Sequence, residues 1–204
     1  GVTSIATQVV IMQIKNFTTM IPTGVAFAAS GLVETAWHEL GEQSQEYGEV
    51  AIIFSIGVTL VILCVFMTYA EPISFIFTND VDIAASTRAC FWSLFLYIFF
   101  STVKGVQNGI IRALGLQKRN TGITLIFSYG LGIPFAALFC FGFGMGLSGM
   151  WFGISIANGL LVLAIQGIIK SAPWETIASN QNKIKQRKHL IQGLLNEKFG
   201  NSEK

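Results

Sequence analysis

Two lysines stand where a charge is expensive. Lys15 is the only charged residue between Gly1 and Val33, and Lys104 follows the 15 uncharged residues from Ala89 to Val103. A charge at the centre of a bilayer costs roughly 2.5–3.5 kcal/mol even on the lenient insertion scale. Such a group either faces an aqueous cavity or a partner, or snorkels to an interface. Polar groups gather beside both. Gln13, Asn16, Thr18 and Thr19 accompany Lys15; Ser101, Thr102, Gln107 and Asn108 accompany Lys104. Ser101, Lys104 and Asn108 repeat at i, i+3 and i+7, which puts them on one helical face. Amides, hydroxyls and amines in this setting suit the binding and passage of a solute. We expect Ser101, Lys104 and Asn108, then Gln13, Asn16 and Lys15, to line a substrate or ion pathway.

Nothing in the chain supports bond-making chemistry. His38 and His189 lie in polar segments, and Cys64, Cys90 and Cys140 are far apart in apolar runs. No catalytic set, metal-ligand spacing or phosphate loop is present, so no catalytic or metal residues and no cofactor are expected. Gly144-Met-Gly146-Leu-Ser-Gly149 matches GxGxxG, but no acid lies between Asp82 and Glu175 to complete a dinucleotide site. A glycine-rich turn explains it, with Gly149 and Gly153 allowing close helix packing.

The elements that position these groups follow from composition. Of 204 residues, 52% are hydrophobic and 12% charged, half the charge of an average soluble domain. The 50 residues from Asn120 to Ile169 carry no Asp, Glu, Lys or Arg, nor do the 21 from Val50 to Ala70. A span needs about 20 apolar residues. Five segments qualify: about 9–33, 50–70, 90–111, 122–141 and 147–169. None alternates in polarity as a barrel strand would, so the expected class is an all-α, polytopic membrane protein. Pro22 permits a kink in the first span, and Pro134, after Gly130 and Gly132, does so in the fourth. Residues 1–171 would form the bundle and 172–204 a basic tail.

Five crossings put the loop 34–49, the loop 112–121 and the tail on one side. That side carries Arg112, Lys118, Arg119, Lys170 and the cluster Lys183, Lys185, Arg187 and Lys188; the other carries Arg88 alone. Excess Lys and Arg stay cytoplasmic, so a cytoplasmic C-terminus is expected. The tail either lies on anionic lipid or is a solvated segment that fixes topology. A net charge of +2 gives no reason to expect a nucleic-acid partner. A start inside an apolar segment, at Gly1, leads us to expect the C-terminal part of a longer protein.

Several motifs resemble those of the multidrug and toxic compound extrusion (MATE) family. They are Met20-Ile-Pro22-Thr-Gly24 with Ala28-Ala-Ser30, and Ile76-Phe-Thr-Asn-Asp80. Further on come Gly105-x-x-x-Gly109-x-x-Arg112-x-x-Gly115-x-Gln117, Gly132-Ile-Pro134, and Gly146-Leu-x-Gly-Met-Trp151-x-Gly153. Order and spacing agree over residues 5–170. The resemblance implies helices eight to twelve of a twelve-helix, two-lobe carrier, with the N-terminal lobe as its missing partner. It implies export of organic, often cationic, or xenobiotic compounds by H⁺ or Na⁺ antiport through alternating access. The plasma membrane or a vacuolar or vesicular membrane would house it. Three places depart from the family pattern: Ser101 stands where many members carry an acid, Gln13 where some eukaryotic members carry Glu, and Leu32-Val-Glu-Thr35 where Arg-Val-Gly-Asn is usual. The coupling acid would then lie on the seventh helix, outside this sequence. A non-transporting membrane scaffold, or a lipid-linked oligosaccharide flippase suited to Lys15 and Lys104, are the alternatives.

Overall fold

A computed structural model describes residues 2–40 and 44–172. The basic tail from Pro173 onward lies outside the described residues, so the expectation about its surface placement does too. Among the described residues the structure is helical throughout, with no strand.

The chain begins with α1 (Val2–Leu40) and α2 (Ser44–Thr68). Two short helices follow, α3 (Ala70–Phe77) and α4 (Val81–Ala89), and then the long α5 (Phe91–Ala113). The next pass joins α6 (Gln117–Leu125) to α7 (Gly132–Ala137) through a π-helical stretch, Ile126–Leu131, and ends in a second one, Leu138–Gly142. The last helix is α8 (Gly146–Lys170). Among the described residues, four segments are long and apolar enough to cross a membrane: Glu46–Thr68, Phe91–Ala113, Gln117–Gly142 and Gly146–Lys170. They coincide with four of the expected spans. The first expected span lies inside α1, which is not among the four.

α1 differs from expectation at both ends. It starts at Val2 and continues to Leu40, so much of the expected 34–49 loop is helical. Glu34, Ala36, Glu39 and Leu40 are good helix formers, and their polarity alone does not end a helix. The helix also passes through Pro22 without interruption. Pro134 behaves differently, because π-helical turns flank its short α7 on both sides. Such turns are a recognised source of helix irregularity.

α5 is the centre of the bundle and packs against α1, α2 and α8, while α7 packs on α8. Apolar side chains condense into two clusters. One holds Val106, Ile110 and Ile111 of α5 and Leu114 just past its end with Leu161, Ile165, Ile168 and Ile169 of α8. The other holds Phe91, Leu94 and Ile98 of α5 with Ile11 and Ile14 of α1, Leu63 of α2 and Trp151 of α8. Between the clusters sits a belt of buried polar residues: Thr18, Ser55, Thr59, Thr102, Ser155 and Asn158. The serine and threonine hydroxyls bond back to their own helices, as in Thr18 to the Ile14 carbonyl at 2.8 Å and Thr102 to the Ile98 carbonyl at 2.9 Å.

Small residues bring the helices together. A Cβ on Gly109 would collide with the Ser30 Cβ, and one on Gly105 would sit 3.6 Å from the Ala26 Cβ. The α1 stretch with Ala26 and Ser30 therefore lies in the groove made by Gly105 and Gly109. The α7–α8 seam is tighter: a Cβ on Gly153 would lie 2.5 Å from the Phe135 backbone, and one on Gly149 would lie 2.5 Å from the Phe139 oxygen. Gly24 has nothing within 4 Å. Gly115, Gly144 and Gly146 turn the chain with φ of 73°, 67° and 59°, a region that side chains disfavour.

The Ile76–Asp80 motif is a helix entry. The Asp80 carboxylate accepts from the backbone N–H groups of Asp82 and Ile83 at 2.9 and 3.3 Å, capping α4. Arg88 of α4 pairs with Glu71 of α3 at 3.2 Å, both largely exposed. Such a surface pair contributes at most about 1 kcal/mol.

The α7–α8 seam yields a paired expectation. Gly153→Val should destabilise the detergent-solubilised protein by about 1–3 kcal/mol through overpacking. Gly167→Ala, in open space, should match or slightly exceed wild type. Thermal unfolding of both variants checks the contrast.

Candidate functional site

α5 and α8 run in the same direction, and their polar residues meet in register. The Ser148 hydroxyl donates to the Ser93 hydroxyl at 3.3 Å, and the Ser155 hydroxyl donates to the Ser93 carbonyl at 3.2 Å. Further along, Lys104 Nζ donates to Asn158 Oδ1 at 2.7 Å. Asn158 Nδ2 in turn donates to the Ile154 carbonyl at 3.1 Å. Gln107, 1% exposed, donates through Nε2 to the Val162 carbonyl at 3.2 Å and to Gln166 Oε1 at 2.9 Å. Its own Oε1 has no partner among the described residues. Trp151 closes the other end of this seam, donating Nε1–H to Gln8 Oε1 at 3.0 Å and meeting Tyr97 edge-on.

A cavity of about 410 Å³ opens where α1, α5 and the start of α6 converge. Ser101, Asn108 and Arg112 line it from α5, Thr23 and Phe27 from α1, and Asn120 from α6. Asn120 Nδ2 donates to Asn108 Oδ1 at 2.8 Å, joining α6 to α5 across the cavity floor. Arg112 sits in the last turn of α5 with its guanidinium carbon 5.8 Å from the centre of the Phe27 ring. Gln117 Nε2 donates to the Arg112 carbonyl at 3.3 Å.

The structure divides the residues that the sequence grouped. Ser101 and Asn108 share the cavity, but Lys104 turns to α8. At about 100° per residue, Ser101 and Asn108 lie roughly 20° apart, with Lys104 roughly 60° from Ser101 and 40° from Asn108. That angle is enough to hand the amine to Asn158. Gln13 and Asn16 are on the exposed side of α1, and Lys15 is half-buried. None of the three lines this cavity. Sequence reasoning missed Thr23 and Asn120 as lining groups, and Asn158 and Gln166 as partners. The signal for the last two was available, since they are amides inside the 50-residue uncharged run.

The MatE family model matches residues 1–138. The chain belongs to the MatE family. This MatE chain is 24% identical over 195 residues to Multidrug and toxin extrusion protein 2 of Mus musculus, covering 94% of itself and 34% of that protein. It is 29% identical over 173 residues to Probable multidrug resistance protein NorM of Pseudomonas putida, covering 81% of itself and 37% of that protein. Its backbone resembles the crystal structure of the eukaryotic MATE transporter AtDTX14, with a TM-score of 0.75 at 20% identity over 87% of this chain and 40% of that one. The MatE chain thus spans about a third of the length of the curated relatives it matches. Its apolar helices and its family make it an integral, multi-pass membrane protein.

The Lys104–Asn158 bond joins the two central helices of this MatE bundle and can be tested on its own. Asn158→Leu removes the acceptor from a half-buried amine and should cost about 1–2 kcal/mol of stability. Lys104→Met in the same chain should recover most of that loss. A double-mutant cycle on thermal unfolding measures the coupling.

Proposed function

We propose that this chain forms most of one lobe of a secondary transporter that exports organic compounds by H⁺ or Na⁺ antiport. The single observation that carries the reading is the cavity of about 410 Å³, polar on one wall and set among apolar helices. A purely structural bundle gains nothing from leaving Ser101, Asn108 and Asn120 beside open space. A carrier uses such space as one side of a central site that two lobes expose in turn. Two relatives are named for multidrug extrusion or resistance, which supports the same class. The other lobe of the transporter is the partner, and the plasma membrane or a vacuolar or vesicular membrane is the setting.

The coupling ion takes the place of any cofactor in this reading. No Asp or Glu occurs from Phe91 to Lys170, so the group that binds it lies on another part of the transporter. Orientation follows charge. Arg112 ends α5 and Lys170 ends the parallel α8, with Lys118 and Arg119 beside them, while Arg88 is at the opposite end. The basic end is cytoplasmic, and so is the C-terminus.

Full-length protein reconstituted in vesicles should show substrate-dependent flux under an H⁺ or a Na⁺ gradient. Absence of flux under both overturns the reading. Ser101→Phe fills the cavity and should lower flux severalfold while leaving the unfolding temperature near wild type.

Topology has a separate check. In a background without Cys64, Cys90 and Cys140, Lys118→Cys should label from the cytoplasmic face and Asp82→Cys from the opposite face.

A further inference from the structure

We infer that α6 is a gate at the basic end of the cavity: it latches to α5 through Asn120 and Asn108 and turns out about the π-helical stretch Ile126–Leu131. This rests on the transporter reading and adds a moving part to it. The pass that carries α6 is held unevenly. α7 is clamped to α8, because Gly149 and Gly153 let the Phe135–Phe139 backbone come too close for a Cβ. No residue of α6 is fully buried, and no side chain caps its first turn. Ile123, with Phe127 just beyond its end, leans on the apolar cluster of α5 and α8. Between the clamped and the loose part lies the π stretch, where the Gly132 N–H bonds to the Phe127 carbonyl, five residues back rather than four. Gly130 lies inside it, and a Cβ there would meet only Ile126, at 4.0 Å. A glycine at this point leaves the backbone free to exchange its bonds.

Two side-chain bonds tie α6 to α5. Asn120 Nδ2 donates to Asn108 Oδ1 at 2.8 Å, and Gln117 Nε2 donates to the Arg112 carbonyl at 3.3 Å. Gln117, Asn120 and Thr121 share one face of α6 and form its wall of the cavity. The corner at Gly115, with φ of 73°, separates α6 from α5, so α6 can turn without dragging α5 along. The latched position also leaves polar atoms dry. Asn120 Oδ1 and Thr124 Oγ1, one turn apart, are shielded and have no partner among the described residues. A buried polar atom without a partner costs free energy that hydration returns. The latch thus gains one short bond and strands two atoms, which brings the closed and open positions closer in free energy. A solute that donates a hydrogen bond to Asn108 Oδ1 competes with Asn120 for the same oxygen. Entry of the solute therefore biases α6 towards release.

The test uses full-length protein freed of its native cysteines, in vesicles for flux and in nanodiscs for distances. Asn108→Cys with Asn120→Cys puts thiols at the latch. A one-carbon bis-methanethiosulfonate should bridge them and lower flux at least about tenfold, as expected when a lid controls turnover. Dithiothreitol should restore the flux. Capping both thiols with methyl methanethiosulfonate, which cannot link them, should cost much less. Failure to bridge, or equal loss from bridge and cap, overturns the inference. Spin labels at Tyr47→Cys on α2 and Arg119→Cys on α6, both exposed sites, give a readout free of flux. The distances should fall into a latched and an open population. Asn120→Leu should enrich the open one severalfold, and Gly130→Ala the latched one. A single population that neither variant moves overturns the inference. This measurement decides if the cysteine pair is inactive before bridging, and Gly130→Ala decides alone if Asn120→Leu fails to fold. Shifting distances without flux would sustain the gate and sink only the transport reading. Flux that the bridge leaves intact would do the opposite.

Discussion

Inside a bilayer there is no water to satisfy a polar group, so a donor buried there is costly unless it finds its partner within the protein. This constraint explains the middle of the bundle. The hydroxyls of Thr18, Ser55, Thr59 and Thr102 turn to carbonyls of their own helices, so they can be buried without reaching a neighbour. Lys104 and Gln107 cannot do this with their long side chains. They reach across to α8, where Asn158, Val162 and Gln166 receive them. The polar belt thereby fixes the axial register of α5 against α8. A slide by one helical turn would strand an amine and an amide together.

Apolar packing supplies adhesion on either side of this belt, and small residues set how close the helices come. Between apolar helices in lipid, association depends on close van der Waals contact. The Gly105–Gly109 groove for Ala26 and Ser30, and the Gly149–Gly153 groove for the Phe135–Phe139 backbone, provide it. The first groove brings α1 beside α5 and so brings Thr23 and Phe27 toward Ser101 and Arg112. That approach forms one wall of the cavity. The helices touch along the glycines and leave room where α6 begins.

Much of this was legible in the sequence, for physical reasons that differ by element. The spans within α2, α5, the α6–α7 pass and α8 announced themselves through long uncharged runs. The turn at Gly144 and Gly146 announced itself through glycine content. Pro134 coincided with irregular helix, whereas Pro22 did not, because neighbouring turns decide whether a lost backbone bond bends a helix. α3 and α4 escaped notice, since eight- and nine-residue helices carry too little periodicity to stand out. The candidate site was half visible. Spacing put Ser101 and Asn108 together correctly, but the 60° offset of Lys104 matters only once α8 is known to lie there. Thr23 and Asn120 join the cavity through contacts between segments nearly a hundred residues apart, which no local pattern encodes.

The two π-helical stretches on either side of α7 carry a consequence for how this pass can change over time. Each π turn accommodates one residue more than an α turn, which advances the angular phase of everything beyond it by about 100°. Loss or gain of a single residue there can be absorbed without shifting Gln117 or Gly142 along the membrane normal. The pass can therefore swap which side chains look at α8 and which look at lipid while its two ends stay anchored. The neighbouring α8, a regular helix from Gly146 to Lys170, has no such slack, and an indel within it would throw Asn158 and Gln166 out of reach of α5.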